Sequence, residues 1–157
     1  METEAETEAA PGTATATAER FRAAVEKEDL GALEELFADD IRLYSPVKFQ
    51  PFEGKPMVMG LFGVLLRTFE DFRYVGEYDG TAETSADGGE APSAVLLFRT
   101  VVNGKAIHGI DLLHFDEEGL IKEFTVMVRP QSAVHALGEA VLAGLVADGL
   151  VPAPRGD

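Results

Sequence analysis

The chain contains no cysteine. Disulfides, thiolate nucleophiles and cysteine metal sites are therefore excluded. Basic residues are scarce as well: 13 Lys and Arg stand against 28 Asp and Glu, for a net charge of -15. No basic stripe is available to neutralise phosphates, so nucleic acid and anionic membranes are not expected partners. Long apolar runs are also missing. Glycine or charge interrupts every apolar stretch well short of the roughly 20 residues that span a bilayer. The opening segment, METEAETEAAPGTATATAER, has neither the basic start nor the apolar centre of a secretory signal. The expectation is one acidic, cytoplasmic domain, and 157 residues suffice for a real core.

What is present divides the chain in three. Residues 1–18 are low-complexity Glu, Thr and Ala with nothing to bury, and are expected to be a disordered acidic tail. Residues 19–130 form the domain proper, and 131–157 a C-terminal helix and tail. From Glu19, Phe21, Ala24, Val25 and Glu28 follow helical spacing. Asp29 caps a second short helix whose apolar face is Leu30, Leu33, Leu36 and Phe37. IRLYSP alternates apolar and polar residues as a short strand stopped by Pro46, and VKFQPFEG reads as a loop. Pro56 then opens the clearest helix of the chain, with Val58, Leu61, Phe62, Leu65, Leu66 and Phe69 on one stripe.

Beyond it the period changes to two. FRYVGEYDG and SAVLLFRTVV are strands about a polar turn, TAETSADGGEAP, and Asn103-Gly104 marks a tight hairpin. KAIHGIDLLHF and LIKEFTVMVR complete four long antiparallel strands. The closing stretch from Ser132 to Leu150 is a helix weakened by Gly138 and Gly144. The fold class is α+β. A strongly curved, mainly antiparallel sheet wrapped around the Pro56–Phe69 helix would leave a conical cavity.

Within KAIHGIDLLHF, alternation places Asp111 on one face with Ile107, Leu113 and Phe115. A carboxylate there is costly to ionise, so its pKa should rise, and a neighbouring tyrosine or serine could hold it neutral as a donor. The alternatives are a ligand-contacting, catalytic acid and a structural acid anchored to a backbone group or to Tyr44. His108 points to the opposite face unless Gly109 forms a bulge. His108 and His114 share a face but lie too far apart for one metal, and His135 is remote, so no metal or cofactor is expected. Tyr44 and Ser45 stand where a cavity wall should be, with one of the two pointing inward. Phe21, Phe49, Phe52, Phe62, Phe98, Phe124, Val126 and Val128 could line the cavity collectively, although each is individually ordinary core.

FRAAVEKEDLGALEELFADDIRLYSP, FEGKPMVMGLF and GIDLLHFDEEGLIKEFTVMVRP resemble the nuclear transport factor 2-like superfamily, in particular its SnoaL-like and ketosteroid-isomerase-like branch. The resemblance implies a cone-shaped pocket and commonly a homodimer packed through the outer face of the sheet. Ketosteroid isomerases of this shape use a tyrosine on the first helix, a base carboxylate after the short strand and a protonated acid on a later strand. Those positions fall on Phe21, Ser45 and Asp111, so only the acid is kept. The Arg-x-Asp pair of limonene-epoxide-hydrolase-like members falls on Arg99-Thr100-Val101, and its last-strand acid on Val126. Three functions stay open. One is binding of a small apolar molecule by Phe21, Tyr44, Ser45, Phe49, Phe62, Phe124, Val126 and Val128 with Asp111 as hydrogen-bond donor. The others are an isomerase, dehydratase or cyclase using Asp111 as general acid or hydrogen-bond donor, and a dimerisation module whose cavity is filled.

Overall fold

The computed structural model describes residues 14–153. In chain order it contains α1 (Ala14–Glu26), α2 (Leu30–Glu34), β1 (Phe37–Tyr44), β2 (Phe52–Glu53), α3 (Lys55–Thr68), β3 (Glu70–Glu83), β4 (Glu90–Val102), β5 (Lys105–Phe115), β6 (Ile121–Arg129) and α4 (Gln131–Ala147). The fold is α+β, with a curved, unclosed six-stranded sheet in the order β2-β1-β6-β5-β4-β3. All strand pairs are antiparallel except β1 with β6, which run parallel. Helix α3 packs on the inner face, and its Val58, Leu61, Phe62 and Val64 are all buried. The Phe62 ring lies 5.3 Å from Phe37 and 5.4 Å from Phe124, edge-on to the latter, and Phe21 backs both Phe62 and Phe124. This aromatic cluster is the centre of the core.

Several boundaries differ from the sequence reading. Helix α1 begins at Ala14 rather than Glu19, because Thr17 and Ala18 are fully buried and the Thr17 hydroxyl donates to the Gly119 carbonyl. That anchor lies 102 residues away, where no local pattern could show it. Residues 1–13 and 154–157 lie outside the described residues. Helix α2 is capped by Asp29, whose Oδ1 accepts from Ala32 N at 3.1 Å, but it ends at Glu34. Phe37 instead opens β1, paired with Ile121, so the spacing that suggested a longer helix belongs partly to a strand. The expected loop after β1 contributes a two-residue strand, and the turn between β3 and β4 shrinks to Thr84–Gly89. Asn103 and Gly104 both take positive φ, as the tight hairpin requires.

Two glycines that weaken α4 as an isolated helix are explained by packing. A Cβ on Gly144 would sit 2.5 Å from Val64 Cγ1 of α3, and one on Gly138 3.2 Å from Val47 Cγ2. The absence of side chains lets α4 lie flat against α3 and the loop after β1.

Candidate functional site

Between α3, α4 and the concave face of the sheet lies a cavity of about 430 Å³. Its closed end is built from buried side chains, including Leu61, Phe62, Phe98 and Phe124. Its open end is marked by the exposed Val47, Lys48, Leu142 and Pro152. Apart from Ser45 and Lys48 toward the mouth, the polar side chains of the wall are Tyr74 and Asp111.

Strand β5 delivers Asp111 as alternation requires. Ile107, Gly109, Asp111, Leu113 and Phe115 are all buried on one face, and the β4–β5 register runs without a bulge past Gly109. His108 consequently faces away. Its Nδ1 accepts from Arg129 Nη1 at 3.0 Å, and partial burial, then Arg99 and Arg129, push its pKa down. Beside Asp111, the Phe98 ring lies across β5 directly over Gly109, where a Cβ would meet Phe98 Cζ at 2.2 Å. Glycine is required there for close approach rather than for a bulge.

The partner of Asp111 is Tyr74, whose hydroxyl donates to Oδ2 at 2.8 Å. Neither Tyr44 nor a backbone group plays this part. Tyr74 reaches the cavity because β3 is bulged: Tyr74 pairs with Phe98, but Gly76 already pairs with Leu97, leaving Val75 extra. The bulge switches parity, so Tyr74 is 7% exposed while Tyr78, four residues on, is 67% exposed. Phe72 stacks on Phe98 at 5.0 Å and meets Tyr74 edge-on, packing the phenol from one side. No signal in the sequence separated Tyr74 from Tyr78.

Burial pushes the Asp111 carboxyl up to about 7, and the Tyr74 hydrogen bond, which favours the ionised form, pulls the other way. Burial also raises Tyr74 well above its ordinary value, reinforced by the Asp111 charge and their shared hydrogen bond. The pair therefore spends neutral pH near the point where Asp111 exchanges its proton.

Of the residues expected around a ligand, Ser45, Phe52, Phe62, Phe98, Phe124, Val126 and Asp111 meet in the cavity wall. Phe21 is fully buried behind Phe62 and Phe124 and does not reach the space. Val128 packs against the core, outside the wall. Tyr44 pairs with Thr125 and falls outside the wall, and Phe49 is 92% exposed. Its loop carries the Phe49 ring outward. Ser45 faces in, but its Oγ accepts from Val47 N at 3.2 Å and Lys48 N at 3.4 Å, which fastens the loop at the mouth.

A second buried polar cluster sits on the other face of the sheet. Glu123 Oε1 and Oε2 accept from Ser85 N and Ala86 N at 2.8 and 2.9 Å, pinning the β3–β4 turn. His114 Nε2 lies 2.8 Å from the Glu83 carbonyl, and its Nδ1 is 3.8 Å from Glu123 Oε1. The arrangement fixes a turn and does not communicate with the cavity. Among the described residues no three His, Cys, Asp or Glu side chains are grouped to hold a metal, and no helix is long and apolar enough to cross a membrane.

Comparison with solved structures gives a consistent outcome. A steroid delta-isomerase from Pseudomonas aeruginosa is 35% identical, with a TM-score of 0.75 over 88% of this chain and 95% of that one. An uncharacterised protein with a cystatin-like fold from Silicibacter pomeroyi is 29% identical, also at a TM-score of 0.75, over 88% and 91% of the two chains. A SnoaL-like protein from Burkholderia thailandensis shares the fold at a TM-score of 0.57 with 16% identity, over 78% of this chain and 100% of that one. No curated protein matches the chain. The sequence model of the SnoaL-like domain matches residues 18–124, from α1 through the strand that carries Phe124, and the chain belongs to that family.

Proposed function

We propose that this chain binds a small, largely apolar organic molecule whose carbonyl or hydroxyl oxygen lies against the Asp111–Tyr74 pair. One observation carries the reading. The carboxyl of Asp111 is buried at the apolar closed end of the cavity, with one oxygen taken by Tyr74. When Asp111 is protonated the pair owns two O–H groups, and only one is used between them. The other is free to donate to a ligand oxygen. When Asp111 is ionised it accepts from Tyr74 and offers only lone pairs, which suits a ligand hydroxyl. A volume of about 430 Å³ falls in the range of small-molecule sites.

Catalysis of the isomerase kind is the second reading. It is favoured by the 35% identity to a steroid delta-isomerase and by a carboxyl poised near 7, where proton transfer is most efficient. Ser45 stands where the base of that chemistry is expected and has no basic side-chain partner among the described residues. Asp111 would itself take the proton from the carbon beside a ligand carbonyl, leaving an enolate oxygen for Tyr74 to stabilise, and then return the proton to the other end of the allylic system. On the outer face of the sheet, exposed Met127 and Tyr78 stand with half-buried Leu97, Ile110 and Leu112, and the partner proposed there is a second copy of the chain.

The deciding experiment is a thermal-shift screen of steroids, terpenoids and phenols on the wild type and Asp111→Asn. Stabilisation by a ketone that falls in the variant supports the site. Stabilisation that the substitution leaves untouched removes Asp111 from it. Deuterium uptake from heavy water into a bound steroid ketone, followed by NMR, then separates catalysis from binding. Sedimentation velocity tests the second copy.

A further inference from the structure

The two ends of the cavity differ in charge. At the closed end stand Tyr74 and Asp111, both buried. The open end carries one cation, Lys48, the only basic side chain of the wall among the described residues. The chain has 28 acids, yet among the described residues Asp111 is the only acid in the wall. The other described cations beside α3, Lys55 and Arg67, are engaged by Asp39 and Asp148. Lys48 makes no ion pair among the described residues. Its ammonium lies instead 4.2 Å from the centre of the Phe52 ring, itself part of the wall. The backbone beneath it is held in place by the Ser45 hydroxyl, which accepts from Lys48 N.

Resting on the cavity reading above, we infer that the natural ligand is an amphiphilic anion. It has an apolar body with an uncharged oxygen at one end, for Asp111 and Tyr74, and a carboxylate or sulfate ester at the other, for Lys48. The orientation follows from solvation. An anion driven to the closed end would lose its water beside a carboxyl and gain no cation. At the mouth it stays hydrated and meets the Lys48 ammonium. Elsewhere the net charge of -15 repels such a ligand, so Lys48 is also the local exception that admits it.

A matched pair of steroids tests this: androsterone and its 3-sulfate, each with a ketone for the closed end, titrated by calorimetry into the full chain. The wild type should bind the sulfate about fivefold more tightly at low salt, the size of one exposed charge pair. The preference should shrink at about 300 mM salt, where the Debye length is about 6 Å. Lys48→Gln should bring the sulfate down to the affinity of androsterone, and Lys48→Glu should invert the order. Because each protein is judged by the ratio of two ligands, a general loss of stability does not mimic the result. Binding of androsterone without a preference for the sulfate, or a preference that survives Lys48→Gln, overturns the inference and leaves the cavity reading intact. Failure of both steroids to bind the wild type overturns both.

Discussion

Replacing Asp111 with asparagine keeps its shape and an acceptor for Tyr74 while removing its titration. The unfolded carboxyl releases its proton near 3.8, the folded one near 7. Between those values the folded state holds the proton more tightly, so stability falls as pH rises through this window. Asp111 thus contributes most below pH 4, and its ionisation above pH 7 costs folding roughly 4 kcal/mol, about 1.4 kcal/mol for each pH unit between the two pKa values. The amide of the variant escapes this cost, so D111N should gain on the wild type as pH rises. Evaluated from the two pKa values, the relative gain between about pH 5 and about pH 8 is roughly 2.5 kcal/mol. Urea denaturation of both proteins at half-unit pH intervals measures it, with the slope against denaturant checked for constancy. A stability difference that stays flat from pH 5 to 8 would refute the claim that burial controls this carboxyl. A difference that moves in the opposite direction would mean the ionised form is the one the fold prefers.

Tyr74→Phe removes the hydrogen bond that favours ionised Asp111, so the carboxyl carbon resonance of Asp111 should titrate above 7; an unchanged or lower midpoint counts against the pairing. Gly109→Ala should cost about 1–3 kcal/mol and drive the Phe98 ring toward the cavity, read as lower stability together with weaker ligand stabilisation. Glu123→Ala should cost about 1–3 kcal/mol by stripping the acceptors from Ser85 N and Ala86 N, with faster amide exchange confined to residues 84–89. Asp148→Ala should leave ligand affinity nearly unchanged and shift stability by less than about 1 kcal/mol, since its pair with Arg67 is half exposed.

The sequence by itself determined the parts of this protein governed by local periodicity. The α3 stripe, the Asn103-Gly104 turn and the face of β5 that carries Asp111 follow from period and turn chemistry, which act between residues a few positions apart. The expected rise in the Asp111 pKa follows too, because its neighbours on that face are apolar. Tertiary structure alone decided what meets Asp111. Tyr74 lies 37 residues away, and a single extra residue at Val75 turns it inward while Tyr78 turns out. Likewise Phe21 and Phe49 look alike as sequence, yet one is sealed behind Phe62 and the other stands in water. Gly138 and Gly144 weaken a helix in isolation and position it in the fold, because their missing side chains are filled by Val47 and Val64. Alternation assigns faces, but bulges, loop paths and the close approach of distant segments decide which faces enclose the same space.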